Sequence, residues 1–174
     1  TGMKQGLVTI PVTAASMLPA TTNGAAAGSI ETTTNKVLYK TLDFDTTTQE
    51  FAGFVIPMPK SWNNGTVTFQ PLWTFASGTG GVVWALQGVA CSDGDTTDVA
   101  YGTEQTSTDT AQTAVMQHVG PTSAPITIAG TPATSDMIYF RIKRNPADAS
   151  DTLTTDARLI GIRLFFTQNA ADDT

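Results

Sequence analysis

The sequence is poor in charge, cysteine and histidine, and each scarcity excludes a class of function. Only 14% of its 174 residues are charged, and no apolar run reaches the roughly 18 residues of a membrane span. The single cysteine, Cys91, cannot form an intrachain disulfide. Together with the single histidine, His118, it cannot supply the ligands of a zinc site. Because phosphate-binding loops and serine nucleophile motifs are also missing, we expect no catalytic residue and no cofactor.

Basic residues are few and mostly scattered. Nine Lys and Arg are set against fifteen Asp and Glu, which gives a net charge of −6 and a pI of about 4.4. Binding to nucleic acid requires clustered cations, and spanning a membrane requires a long apolar run. We therefore expect neither a nucleic acid nor a membrane as a partner. The densest cluster is Arg141, Lys143 and Arg144. We interpret it as charge that keeps an edge strand soluble rather than as a phosphate site.

What the sequence does contain is short apolar runs separated by polar, threonine-rich turns. Threonine makes up roughly a fifth of the chain and favours strands. In the run Met137–Arg144, for example, Ile138, Phe140 and Ile142 alternate with polar residues, as in a strand with one face in the core. About eight such strands, no amphipathic helix and long uneven connections predict an all-β, antiparallel β-sandwich of the jelly-roll type.

The stretch GFVIPMPKSWNNGTVTFQPLWTF, Gly53–Phe75, predicts a tight corner between two strands. Asn64 and Gly65 tolerate positive φ and are placed at the turn. Trp62 is expected to pack across the corner as a lid on the core. The alternative is that Trp62 is an exposed platform on which a sugar ring stacks.

Acidic residues offer two further possibilities. Asp93, Asp95 and Asp98 have a spacing that could ligate Ca²⁺, although the EF-hand loop is not matched and Asp also favours turns. They are a weak calcium candidate, and Asp148, Asp151 and Asp156 are a second, no stronger one. Asp43 and Asp45 share a strand end and are the pair that a glycoside hydrolase would need, but nothing else in the sequence marks a cleft.

Four segments of the chain resemble virion structural proteins of tailed bacteriophages and prophages, a group common in marine and alphaproteobacterial phages. They are VTIPVTAASMLPATTNGAA; ETTTNKVLYKTLDFD with EFAGFVIPMPKSWNNGTVTFQPLWT; GGVVWALQGVACSDGDTTDVAYGT; and ITIAGTPATSDMIYFRIKRNPADASDTLTTDARLIGIRLFFT. The resemblance covers nearly the whole chain. It implies a compact jelly-roll that serves as capsid cement, head-fibre or tail-associated module, often as a trimer, and it brings no catalytic residue.

We therefore expect a non-enzymatic capsid cement or decoration protein on the virion surface. Its expected partners are the major capsid protein or other virion proteins and two further copies of itself in a homotrimer. The alternative is a tail-fibre, tail-tip or head-fibre module that binds host carbohydrate, with Trp62, Tyr101 or Tyr139 as its exposed aromatic residues. An enzyme acting on glycans would instead need two acids across a groove.

The domain prediction is an extended N-terminal arm at residues 1–30, a single jelly-roll at 31–170 and a polar tail at 171–174. The arm is expected to reach over a neighbouring subunit or the shell, because it is long, rich in small residues and interrupted by proline. A deletion of residues 1–20 is accordingly expected to leave a folded domain. The predicted partner-binding residues of the arm are Val8, Ile10, Pro11, Met17, Leu18 and Pro19.

Overall fold

A computed structural model describes residues 6–169, and it consists of two antiparallel β-sheets packed face to face. This confirms the predicted all-β sandwich of the jelly-roll type. The described residues form eleven strands rather than about eight, and a 3₁₀ turn at Ala14–Ser16. The strands are β1 (Gly6–Thr13), β2 (Leu18–Pro19), β3 (Ala26–Glu31), β4 (Leu38–Phe44), β5 (Phe51–Pro57), β6 (Trp62–Phe75), β7 (Gly81–Cys91), β8 (Gln105–Thr110), β9 (His118–Val119), β10 (Met137–Arg144) and β11 (Ala157–Gln168).

The chain crosses repeatedly between the two sheets. Sheet A has the order β3-β4-β11-β6-β9, and β1 pairs with β11 beside it. Sheet B has the order β2-β5-β10-β7-β8. Strand β11 shares one edge between two partners: Ala157–Leu159 pairs with β4, and the stretch from Gly161 to Gln168 pairs with β1. The predicted crossing connections are therefore present, and β5 to β6 is one of them.

The core lies between the sheets and is rich in aromatic side chains. The predicted inward residues of β10, Ile138, Phe140 and Ile142, are all buried. Trp84 of β7 packs against Trp73 of β6 at a ring-centroid distance of 6.4 Å. Aromatic pairs at such distances add stability beyond the area they bury, and they join the two sheets here.

The corner at Gly53–Phe75 differs from its prediction. β6 begins at Trp62, so Asn64 and Gly65 lie inside the strand rather than at the turn. Trp62 pairs with Gln168, and the register shifts before Val67 pairs with Phe166. Asn64 has a φ of 56°. The Asn-Gly signal therefore marks a bulge, which uses the same positive φ as a turn does.

The predicted arm is corrected over the residues that the structure describes. Gly6–Thr13 is a strand that pairs with β11 over eight residue pairs, because the side chains of Val8, Ile10 and Val12 alternate toward the core. Strand β2 lies within the segment predicted to be an arm, and β3 begins within it and ends one residue beyond it. No separate arm ends at residue 30, although whether the segment also contacts a neighbour stays a prediction. Residues 1–5 and the predicted tail at 171–174 lie outside the description.

The interpretation of Arg141, Lys143 and Arg144 as edge-strand charges is wrong. β10 is the middle strand of sheet B, flanked by β5 and β7. Arg144 is fully buried and binds Asp151 through two N–H groups, while Lys143 lies 2.7 Å from a carboxylate oxygen of Glu104. The sequence did not reveal that β10 lies in the middle of its sheet, because that place depends on pairing with β5 and β7, which are distant in sequence.

Candidate functional site

A groove of about 470 Å³ lies on the outer face of sheet B. Its floor comes from β5 and β10, its one side from the segment around β2, and its other side from the loop that follows β7. Among residues 6–169, Arg141 is the one charged residue that lines it. The lining residues that matter for binding are Leu18, Phe51, Gly53, Tyr101, Tyr139 and Arg141.

Strand alternation explains why these residues share the groove. In β5, Ala52 and Phe54 face the core, so Phe51 and Gly53 face outward. In β10, the register places Arg141 beside Gly53. Because Gly53 has no side chain, the groove stays open next to the guanidinium.

The guanidinium of Arg141 contacts two aromatic rings. Its central carbon lies 4.7 Å from the ring centroid of Phe51 and 4.8 Å from that of Tyr101. With the amide of Gln87 turned so that its oxygen faces the guanidinium, Arg141 donates from Nη2 at 2.6 Å and from Nε at 2.7 Å. Cation–π contact and charge-assisted hydrogen bonds fix the group in place.

Tyr101 reaches the groove because its loop returns over the sheet. The backbone N–H of Gly102 donates to the carbonyl of Gly88 in β7 at 3.0 Å. A Cβ at position 102 would lie 2.5 Å from the carbonyl oxygen of Thr127, so glycine is required for this close approach. The loop thereby carries Tyr101 to the side of the groove opposite Leu18.

The aromatic candidates divide clearly. Tyr101 and Tyr139 are half-buried and line the same groove. Trp62 is only 2% exposed and cannot stack on a sugar; it packs in the core, as the lid interpretation expected. Sequence reasoning missed Phe51 and Arg141. The signal that could have found them was the outward alternation of β5 and β10.

The predicted partner-binding residues do not form one exposed surface. Val8 and Ile10 pack partly buried against the core, and Met17 is buried. Pro11 is exposed on the edge strand β1, where its missing N–H costs no ladder bond. Leu18 is 76% exposed, and with the half-buried Pro19 it lines the groove.

The calcium candidates are not assembled into a site. Across residues 6–169, no three His, Cys, Asp or Glu side chains are grouped to hold a metal ion. The carboxylate of Asp95 accepts from the backbone N–H of Ser92, while Asp93 and Asp98 are exposed. Asp95 therefore stabilises its own turn, which is a common structural role of aspartate.

The acid pair Asp43 and Asp45 also serves the fold. Asp43 accepts from the hydroxyl of Thr41 and lies 3.5 Å from Arg158, and neither acid lines the groove. Asp45 accepts from the backbone N–H groups of Thr47 and Thr48 at 2.7 and 2.6 Å. These bonds to the ionised form lower the pKa of Asp45 to about 2.

Low pH should remove the stabilisation of the folded state that the ionised carboxylate of Asp45 provides. The pKa in the folded protein lies below the unfolded value, so the stabilisation is fully present above about pH 4 and is lost as pH falls toward 2. We expect Asp45→Ala to lower the free energy of unfolding by about 1 kcal/mol at pH 7, after allowance for solvent screening. The difference should shrink between pH 4 and 2 in urea titrations. Asp98→Ala is the control, and an equal loss at pH 2 and 7 would contradict the assignment.

The single cysteine and histidine have structural surroundings. His118 is buried, its Nε2 accepts from the backbone N–H of Gln112, and its ring lies 4.7 Å from that of Trp73. Its Nδ1 must then carry the proton and donate to the carbonyl of Met116 at 3.0 Å. Cys91 is buried in sheet B and contacts the carbonyl of Thr96. Neither side chain has the arrangement of a nucleophile with its base.

Comparison with known proteins identifies similar folds but no family. The chain matches no protein-family profile and no curated protein sequence. Among solved structures, it is similar to the CBM22-1–GH10 modules of endo-1,4-β-D-xylanase 10B from Clostridium thermocellum, complexed with xylohexaose, with a TM-score of 0.52 and 12% identity. That match covers 94% of this chain but only 28% of the other.

Two shorter structures are matched over nearly their whole length. The CBM22-2 xylan-binding domain of a Paenibacillus barcinonensis xylanase has a TM-score of 0.52 and 10% identity, and the match covers 90% of this chain and 98% of that one. The C-terminal family 22 carbohydrate-binding module of the Clostridium thermocellum enzyme has a TM-score of 0.51 and 12% identity, with 94% and 95% covered. At such identities the likeness shows the sandwich fold alone. Separately, no helix in residues 6–169 is long and apolar enough to cross a membrane.

Proposed function

We propose that this chain is a non-enzymatic structural protein on the outside of a tailed-phage capsid, where it decorates and stabilises the shell as a homotrimer. The sequence resemblance supports the virion role, and the similar solved structures, named as binding modules, support a role without catalysis. The observation that carries the proposal is a projecting hairpin with an apolar tip, made of β3, β4 and the turn between them.

The β3–β4 hairpin extends beyond the sandwich. β4 pairs with β11 only at its end, from Leu42 to Phe44, and from there outward it pairs with β3 alone. No residue from 29 to 40 is buried, and Val37 and Leu38 at the tip are 56% and 72% exposed. A two-stranded hairpin is marginally stable by itself in water, so packing against a neighbouring subunit or the shell would stabilise it.

Decoration of a shell also fits a trimer that is held together by its hairpin tips. Each protomer then meets the shell only with its remaining surface, and a single contact of that kind is weak. A trimer that engages several capsid subunits at once gains avidity, because the second and third contacts become intramolecular. The major capsid protein is accordingly the proposed partner, and the particle surface the proposed location.

The hairpin tip should control assembly. We expect the wild-type chain to sediment as a trimer and a Val37→Glu/Leu38→Glu double variant to sediment as a monomer, because six charges would meet at one interface. Met116→Glu is the matched control, since Met116 is 59% exposed beside β9 at the opposite edge of sheet A. A wild-type monomer, or a double variant that stays trimeric, would contradict this interface.

Quantitative mass spectrometry of purified virions tests the location. Hundreds of copies per particle, counted against the major capsid protein, are expected for a decoration protein. A few copies, or a dozen or two, would overturn that role and place the chain on the tail or at a vertex.

Carbohydrate binding is the second candidate, because Tyr101 and Tyr139 line one groove. Aromatic rings beside polar groups suit sugars, whose rings have apolar faces and polar edges. Two of the similar solved structures are named as carbohydrate-binding, one of them as xylan-binding. In this role, the groove would bind host or environmental glycans while the sandwich serves as a scaffold.

A further inference from the structure

We infer that the groove selects saccharides that carry an isolated carboxylate, which pairs with Arg141. This inference deepens the carbohydrate candidate and rests on it. Its starting point is electrostatic: the chain has a net charge of −6, yet the one charged side chain that lines the groove in the described part of the chain is a cation. Arg141 is half-buried, and no carboxylate within residues 6–169 forms an ion pair with it.

Arg141 has no carboxylate partner within the described residues. The other arginine of β10, Arg144, is paired with Asp151, and Lys143 is paired with Glu104. The partners of Arg141 are the neutral amide of Gln87 and two aromatic rings. Its Nε and one Nη2 hydrogen are used by Gln87, so the Nη1 side of the fork makes no hydrogen bond in residues 6–169.

The guanidinium is also held ready for a ligand. The rings of Phe51 and Tyr101 both contact the guanidinium, and Gln87 accepts two of its hydrogen bonds, which restricts the side-chain freedom that binding would otherwise have to restrict. A planar, fixed fork is the geometry that binds a carboxylate with directional hydrogen bonds. A ligand carboxylate that approaches Nη1 in the groove would complete the pairing.

The neighbouring surface limits how many charges the ligand can carry. Tyr139 also lines a second cavity of about 320 Å³, whose other lining residues include Asp93 and Asp95. A chain with a carboxylate on every sugar would bring like charges toward these acids, which disfavours it. The preferred ligand therefore has one acidic sugar flanked by neutral ones, and Tyr139 provides a ring between the two cavities.

The test is calorimetric titration of the full chain with a panel of oligosaccharides that each contain one glucuronic, galacturonic or sialic acid. Each is compared with its carboxyl-reduced counterpart, and tetragalacturonic acid represents the fully charged class. We expect at least one acidic member to bind at least tenfold more tightly than its reduced counterpart and than tetragalacturonic acid. Raising the salt concentration should weaken this binding.

Two variants connect the binding to the groove. Arg141→Met keeps an unbranched stem between the rings but removes the charge, and should weaken binding of the acidic sugar about tenfold or more. Gly53→Leu should abolish binding by filling the groove; a Cβ there would lie 3.5 Å from the carbonyl oxygen of Phe140, an ordinary contact that the strand tolerates. Arg163→Met is the control, because Arg163 is exposed on sheet A and loses the same charge.

The outcomes distinguish the preference for acidic sugars from carbohydrate binding itself, on which that preference rests. Equal binding of acidic and reduced sugars, lost in Gly53→Leu, would overturn the acidic preference and leave carbohydrate binding in place. No binding by any member of the panel would overturn both. Loss of thermal stability in Arg141→Met with unchanged affinity would show that Arg141 only fastens the Tyr101 loop, and would overturn the pairing.

Discussion

Replacing Arg144 with alanine should destabilise the fold by about 3–5 kcal/mol, which is a large part of the 5–15 kcal/mol that a typical domain has. Arg144 has no exposed area, and its guanidinium donates to both carboxylate oxygens of Asp151. It also donates to the backbone carbonyls of Leu153 and Thr155 at 2.6 and 2.9 Å. Truncation would leave the Asp151 carboxylate buried without a counter-charge and these carbonyls without donors.

Chemical unfolding of the wild type, Arg144→Ala and Arg144→Lys measures this effect. Lysine keeps the charge but lacks the planar fork, so it should recover only part of the loss. If Arg144→Ala does not fold, Arg144→Lys still measures how much the planar guanidinium contributes to the free energy of unfolding. Arg158→Ala is the control, because its ion pair with Asp43 is partly exposed and should be worth less than 1 kcal/mol. A loss below 1 kcal/mol for Arg144→Ala would contradict the assignment.

Deleting residues 1–20 should prevent stable folding, which reverses the expectation from sequence. The deletion removes β1 and its eight pairs with β11, together with three buried side chains, Val12, Ala14 and Met17. Burial of Val12 and Met17 alone contributes roughly 3–6 kcal/mol. The deletion also leaves the edge of β11 that pairs with β1 without a partner strand, and an exposed strand edge favours aggregation.

Circular dichroism and thermal unfolding of the truncated chain measure this effect. A peptide spanning residues 6–20 should restore the native signal when added, because an extended segment can pair with an open sheet edge. A peptide with Val12→Asp is the control and should not restore it. A truncated chain with the melting temperature of the wild type would show that β1 is dispensable for the fold.

The sequence predicted the fold class because alternation and turn chemistry are local. Ile138, Phe140 and Ile142 were placed in the core from their spacing alone, and all three are buried. Strand β3, Ala26–Glu31, was missed because its small residues carry no apolar alternation. It is a strand because β4 provides hydrogen-bond partners, and such pairing depends on contacts that no local pattern encodes.

The groove was only half visible from sequence. Tyr101 and Tyr139 could be named as aromatic residues suited to stacking, but Trp62 was indistinguishable from them by residue type. Burial separates them, and burial depends on which sheet a strand joins. Arg141 and Arg144 lie three residues apart on one strand, yet one lines a groove and the other is fully buried.

By itself, the sequence determined that this protein is a β-sandwich with few charges and no recognisable catalytic motif, because composition and period-two alternation are properties of the chain alone. The tertiary structure decided the rest. It decided that Gly6–Thr13 pairs with β11, that Arg144 forms an ion pair with the buried carboxylate of Asp151, and that Arg141 contacts Phe51 and Tyr101. Each depends on segments far apart in sequence meeting in a particular register, and that register is set by the packing of the whole sandwich.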